Sequence, residues 1–182
     1  AGLYRDGQWF MDLDDEGGVG ESIMYYGIPT DIPVVGDWNG DGIDDLAIYR
    51  GGQWLFDNNN DGGLAESSFW FGLPGDIPVA GDFDGNGIDD AAVFRNGLWF
   101  IDLEGDGVLS EKSFWFGLPG DVPVTGDFDG NDVDDAVVYR NGQWFMDLEG
   151  DGGIGEKSFW FGLPGDVPVT VDWNEDGIDN AA

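Results

Sequence analysis

The decapeptide GDWNGDGIDD at residues 36–45 returns as GDFDGNGIDD at 81–90, GDFDGNDVDD at 126–135 and VDWNEDGIDN at 171–180, a period of 45 residues without an insertion. GQWF at 7–10 matches GQWL at 52–55, GLWF at 97–100 and GQWF at 142–145. SFWFGLPGD begins at 68, 113 and 158, and its most divergent copy is SIMYYGIPTD at 22–31. Arg5, Arg50, Arg95 and Arg140 fall at one repeat position. A chain of four like units buries its apolar surface by stacking each unit on the next, and no linker or low-complexity segment interrupts them. Residues 1–182 therefore read as one domain.

Each unit holds four short segments rich in β-branched and aromatic residues, such as IPVAGDF, DDAAVFR, GLWFIDL and KSFWFG from Asp76 onward, separated by Gly, Pro and Asp clusters. None carries helical spacing over three turns. Four strands in about 40–45 residues is the size of a propeller blade. The fold expected is all-β, a β-propeller of four 45-residue, four-stranded blades with closure between the N- and C-terminal strands. AGLYR is the counterpart of LAIYR, and DGIDNAA stops after an acidic loop, so residues 166–180 would join residues 1–26 in one blade. The complete blades then run near 31–72, 76–117 and 121–162. Closure removes open sheet edges and predicts a monomer, or a dimer if the ends are exchanged.

A hydrophobic content of 41%, with 15% aromatic residues, supports a packed core rather than an acidic tail. The net charge of -32, from 38 acidic and 6 basic residues, makes nucleic acid and anionic membranes poor partners. Cysteine and histidine are both absent, which excludes thiolate and imidazole sites and leaves metal chemistry to oxygen ligands. No apolar run approaches the roughly 18 residues of a spanning helix and no charged-then-apolar leader opens the chain, so no membrane insertion is expected.

The acidic decapeptides have the spacing of a cation loop. Counting from Asp37, oxygen side chains fall at position 1 (Asp37), 3 (Asn39), 5 (Asp41) and 9 (Asp45), Gly42 provides the turn at 6, and position 7 offers the Ile43 carbonyl. The other copies place Asp82, Asp84, Asn86, Ile88 and Asp90; Asp127, Asp129, Asn131, Val133 and Asp135; and Asp172, Asn174, Asp176, Ile178 and Asn180 at the same positions. This is the first part of an EF-hand pattern, closed at position 9 and joining strands.

The string FGLPGDxPVxGDFDGNGxDDxAVxR, read from Phe71 and again from Phe116, resembles the FG-GAP or VCBS-type β-propeller repeats of integrin α-subunits and many bacterial extracellular proteins. The resemblance covers the whole chain. It implies about four Ca2+ ions at the positions just named, an extracellular or cell-surface setting, and a binding, adhesion or scaffold role toward an unidentified protein or glycan. Three residues depart from the pattern: Asp132 replaces the turn glycine, Glu175 stands at position 4 and Asn180 ends the fourth loop. Four short units also differ from the seven blades of the integrin form.

A second acidic pattern, DLDDEGG at 12–18, DNNNDGG at 57–63, DLEGDGV at 102–108 and DLEGDGG at 147–153, places oxygen residues at 1, 3 and 5, glycine at 6 and Glu21, Glu66, Glu111 or Glu156 at 10. It reads either as a plain hairpin turn or as a further cation loop. Trp9, Trp54, Trp99 and Trp144 suggest blade packing, with sugar stacking by a calcium-dependent lectin as the alternative. In SFWFG, Phe69 and Phe71 point one way and Trp70 the other, and face-to-face blades are expected to bury both sides. The arginines are expected to bridge neighbouring blades. Paired acids such as Asp44 and Asp45, or Asp134 and Asp135, recur in one repeated setting rather than two unlike ones, so no enzyme activity is expected.

Overall fold

The computed structural model describes residues 2–13, 21–108, 110–153 and 155–182. Among them the fold is all β, arranged as a four-blade propeller without helices. Blade I is the three-stranded sheet of β1 (Gly2–Arg5), β2 (Gln8–Met11) and β3 (Ser22–Tyr25). Blade II holds β4 (Ile32–Gly36), β5 (Asp45–Arg50), β6 (Gln53–Asp57) and β7 (Ser67–Trp70). Blade III holds β8 (Ile77–Gly81), β9 (Asp90–Arg95), β10 (Leu98–Asp102) and β11 (Lys112–Trp115). Blade IV holds β12 (Val122–Gly126), β13 (Asp135–Arg140), β14 (Gln143–Asp147) and β15 (Lys157–Trp160), and β16 (Thr170–Val171) with β17 (Asn180–Ala181) forms a two-stranded sheet beyond it. Every ladder is antiparallel and follows chain order, and the inner strands β4, β8, β12 and β16 lie in sequence beside one another.

The expected ladder between the N-terminal LYR strand and the C-terminal VPVTVDW strand is not among these sheets. Among the described residues, β1 is bonded only to β2, and β16 only to β17. Asn180, Ala181 and Ala182 are the repeat counterparts of Asp45, Leu46 and Ala47, and they already take the ladder beside residues 169–171, with Ala182 and Val169 exchanging N–H···O bonds of 2.9 and 3.1 Å. Leu3 to Arg5, the counterparts of Ile48 to Arg50, stay on blade I.

The second strand of each complete blade is buried on both faces, which explains why it is apolar throughout rather than alternating. Its two side-chain rows enter different layers. Ala91 and Val93 pack against Trp54, Phe56 and Phe71 of blade II, while Ala92 and Phe94 pack with Trp99 and Phe116 of their own blade. The core is thus a series of layers between blades, each centred on a tryptophan that is 0–1% exposed in blades II–IV.

Candidate metal centre

The loop from the first to the second strand of each unit is organised by its first aspartate. Asp37 accepts N–H bonds from Gly40, Asp41 and Gly42 at 2.8, 3.2 and 2.8 Å. Asp82 accepts the equivalent bonds from Gly85, Asn86 and Gly87 at 2.7, 3.1 and 2.7 Å, and Asp127 from Gly130, Asn131 and Asp132 at 2.7, 3.2 and 2.8 Å. Asp172 accepts from Asp176 and Gly177 at 3.2 and 2.8 Å. Burial works to raise the Asp37 carboxyl, but the Gly42, Gly40 and Asp41 amides together hold it below the usual range. The Gly177 amide does the same, foremost, for Asp172. The position-5 oxygens of Asp41, Asn86, Asn131 and Asp176 accept from the amides of Ile43, Ile88, Val133 and Ile178 at 3.0, 2.8, 2.8 and 3.0 Å. Asp132 takes the left-handed conformation of the glycine it replaces, φ +63° against +82° in the other three loops.

At position 9, Asp45, Asp90 and Asp135 begin the second strand and are 2%, 5% and 4% exposed. Burial, then the neighbouring loop carboxylates, pushes Asp90 and Asp135 up to about 7 against the pull of the Phe83 and Phe128 amides. Burial also raises Asp45, with Asp41 adding to it. In two loops the acids converge: oxygens of Asp82, Asp84 and Asp90, and of Asp127, Asp129 and Asp135, lie within 4.8 Å of one another. Ligands on opposite sides of a calcium ion, each about 2.3–2.6 Å from it, stand about as far apart. Loop 37–45 brings no such acid triad together; its position 3 is Asn39, whose amide donates to Asp45 at 2.6 Å. Loop 172–180 has only Asp172 and Asp176, with Asn174 donating to Asp176 at 3.0 Å.

The outer loops are organised by their first aspartate in the same way and also gather acids. Asp57 accepts from Asp61 and Gly62 at 3.2 and 2.8 Å, Asp102 from Asp106 and Gly107 at 3.3 and 2.9 Å, and Asp147 from Asp151 and Gly152 at 3.3 and 2.9 Å. Their triads, Asp57, Asp61 and Glu66; Asp102, Asp106 and Glu111; and Asp147, Asp151 and Glu156, also lie within 4.8 Å. Glu111 and Glu156 fold back to accept from Leu103 and Leu148 at 3.1 and 2.9 Å. Burial raises the Asp102 and Asp147 carboxyls. In the first outer loop, Asp14, Glu16 and Gly17 lie outside the described residues, and Glu21 accepts from Leu13 at 2.7 Å. Among the described residues, the Lys and Arg ion pairs reach none of these acids.

No protein-family model matches the chain, and no curated protein matches it. Among solved structures, the chain is similar to one described as "Crystal structure of BBS1N in complex with ARL6DN, soaked with lead", with a TM-score of 0.52 and 16% identity over 81% of this chain and 49% of that one. At that identity the likeness shows the fold alone, a propeller, and the chain spans about half the length of its neighbour.

One acid in each of loops 82–90, 127–135 and 172–180 has a role that its spacing did not reveal. Asp89, at position 8, accepts from the Asp37 amide of the preceding blade at 2.8 Å and donates its own N–H to the Asp37 carbonyl at 2.9 Å. Asp134 and Asp179 clasp Asp82 and Asp127 in the same way, at 3.0 and 3.1 Å through the side chain. Burial raises Asp89 to about 6 and Asp134 to about 7. The glycine before position 1 in the first three loops is there for space: a Cβ on Gly36, Gly81 or Gly126 would sit 2.6–2.7 Å from the clasping carboxylate.

Two further expectations are corrected. The arginines bridge within blades rather than between them: the ladder sets Ile32 opposite Tyr49, so Asp31 lies opposite Arg50, and Arg50, Arg95 and Arg140 form bidentate pairs with Asp31, Asp76 and Asp121 at 2.6–2.7 Å. The expectation that face-to-face blades bury both sides of SFWFG fails at the blade edge. Trp54, Trp99 and Trp144 are buried between the blades, as blade packing requires, and donate to the carbonyls of Phe71, Phe116 and Phe161 at 2.9–3.0 Å. Trp70, Trp115 and Trp160 are instead 65%, 65% and 73% exposed, because an outermost strand has one face beyond its neighbour's reach.

Proposed function

We propose that this protein is a calcium-binding β-propeller of the FG-GAP or VCBS type, serving as an extracellular or surface module for binding, adhesion or scaffolding. The observation that carries this reading is the recurrence of carboxylate triads at matching loop positions, in a protein whose three paired arginines are all committed elsewhere. Calcium suits such sites because it accepts six to eight hard oxygen ligands in adaptable geometry, and its extracellular level fills sites of modest charge. Asp82, Asp84 and Asp90, and their counterparts in loop 127–135, would hold one ion each. The outer triads would hold others. A bound ion would cancel carboxylate repulsion and fix the loop; the repeated, symmetric setting of the acids favours binding over catalysis. Calorimetric titration of calcium into chelator-stripped full chain tests this. Saturable binding that magnesium does not displace at equal concentration is expected, and absence of binding up to several millimolar would contradict it.

A second reading, a lectin, has one observation in its favour: Tyr25, Trp70, Trp115 and Trp160 put one exposed aromatic on the rim of each blade. A glycan array with the calcium-loaded protein separates the two readings. Binding lost on Trp70→Ala and Trp115→Ala would support the lectin, whereas hits indifferent to these changes, or none, would favour the scaffold.

A further inference from the structure

Three residues break the repeat at one place, the junction between blades II and III, which lies inside the chain with a complete blade on either side. Trp38, Asn58 and Ser67 stand where the next unit has Phe83, Leu103 and Lys112. At the junction of blades III and IV, Phe83 and Leu103 pack into one apolar cluster with Phe114. The Lys112 ammonium lies over the Phe114 ring at 5.6 Å and stands 2.6 Å from where a Cβ on Gly150 would be. That junction is filled by the chain's own side chains, two apolar and one cationic.

The junction of blades II and III is left open. A slot of about 530 Å³ lies there, with Trp38, Asn58 and Ser67 on the blade II side and Asp102, Glu104 and Asp106 on the blade III side. A Cβ on Gly105, the counterpart of Gly150, would meet nothing within 4 Å, so the place of the Lys112 ammonium is free. Phe69, the counterpart of the ring beneath that ammonium, forms part of the wall. The other two exchanges leave polar atoms in the slot: Trp38 Nε1 and Asn58 Oδ1 are buried and have no hydrogen-bond partner among the described residues. An unpaired buried donor or acceptor is costly, so one of each in a single slot points to a ligand that supplies the matching pair.

We propose that this slot takes a lysine residue of a peptide or protein partner. Its ammonium occupies the place that Lys112 holds one junction on, over the Phe69 ring and against the acids of the outer loop. An adjoining peptide group offers both things the slot lacks, a carbonyl for Trp38 Nε1 and an N–H for Asn58 Oδ1. A neutral sugar would meet the two polar atoms and leave the acids unanswered, whereas a metal ion would answer the acids and leave the indole N–H unpaired. Asp102 and Asp106 belong to an outer triad and Glu104 does not, so negative charge faces the slot whether that triad is filled or empty. The volume falls within the range of small-ligand sites, about 300–1,000 Å³.

The test follows the Trp38 indole and Gly105 amide signals of the full chain, in calcium and physiological salt, by proton–nitrogen NMR. The probe is a lysine flanked by peptide groups, Nα-acetyl-lysine N-methylamide. Both signals should shift and saturate, with a dissociation constant in the millimolar range for this single residue. Acetylating the probe's ammonium should weaken binding about 10-fold or more, since the charge is lost while the amides remain. Ser67→Lys gives blade II the residue that blade III has and should abolish binding by filling the slot from within. Asn58→Leu, which likewise copies the next unit, should weaken binding about 10-fold. Signals elsewhere in the spectrum should stay in place in both variants, because each installs a residue the repeat already accepts. No shift at tens of millimolar probe, equal shifts with the acetylated probe, or undiminished binding in Ser67→Lys overturns the proposal.

Discussion

Loop 82–90, on the inner side of blade III, and loop 102–111, on its outer side, both open with an aspartate that accepts backbone N–H bonds from residues four and five positions on, and both gather three carboxylates. They differ in which backbone an acid of the loop holds. In the inner loop Asp89 reaches the backbone of the neighbouring blade, whereas in the outer loop Glu111 returns to the backbone of its own loop at Leu103. A cation bound in an inner loop would therefore steady the joint between two blades, while one in an outer loop would steady a hairpin. The same local device is global in one place and local in the other.

Removing the cations should have the largest effect and should act on both loop types. Each site held well above its dissociation constant adds about 2–3 kcal/mol, and each kcal/mol moves the midpoint of a domain this size by about 2–4 °C. Excess EDTA should therefore lower the melting temperature by about 10 °C or more, measured by circular dichroism against a calcium-loaded sample. An unchanged melting curve would remove the inner loops from the stability of the propeller.

The next largest effect should separate the two loop types. Asp134→Ala removes the carboxyl acceptor for the Asp82 amide and should cost about 2 kcal/mol, while Asp134→Asn keeps an acceptor oxygen and should cost less. Glu111→Ala, at an exposed side chain, should cost about 1 kcal/mol or less. Equal losses in urea denaturation would erase the distinction. Gly81→Ala, which places a Cβ 2.7 Å from the Asp134 carboxylate, should cost about 1–2 kcal/mol by forcing the clasp aside. A cost near zero would mean that the clasp has room to spare.

The smallest effect is a dependence on pH that changes with metal. Asp90, Asp134 and Asp135, raised to about 7, and Asp89, raised to about 6, keep protons in the folded chain that the unfolded chain releases near 3.9. Their contribution is complete below the unfolded value and is lost as pH rises through the folded values. The calcium-free protein should therefore lose stability between pH 5 and 8, and the calcium-loaded protein should not, since a cation holds the ligands ionised. A denaturation midpoint that climbs with pH in EDTA would contradict the burial of these acids.

The propeller was legible in the sequence because the 45-residue period is uninterrupted and each strand lies between Gly, Pro and Asp clusters. So was the left-handed backbone at Asp132, from its alignment with Gly42, Gly87 and Gly177. The clasp was harder to see, because it joins residues 52 apart, one period plus seven, and requires knowing that successive loops lie side by side. Its trace in the sequence is the glycine before position 1 in three copies and the valine in the fourth. The exposure of Trp70 was out of reach for a related reason: Trp54 and Trp70 both alternate with phenylalanines or other apolar residues, and only the position of β7 at the sheet edge decides which is covered. The outer triads depended on Glu66, Glu111 and Glu156 folding back over their loops, which spacing alone does not fix.

A crystal structure of the full chain grown with calcium, with anomalous difference maps, tests the central claim most directly. Peaks are predicted within the triads of loops 82–90 and 127–135 and of outer loops 57–66, 102–111 and 147–156, with ligand oxygens about 2.3–2.6 Å away and the weakest inner site at loop 172–180. Loops holding only water at saturating calcium, with their carboxylates apart, would contradict it.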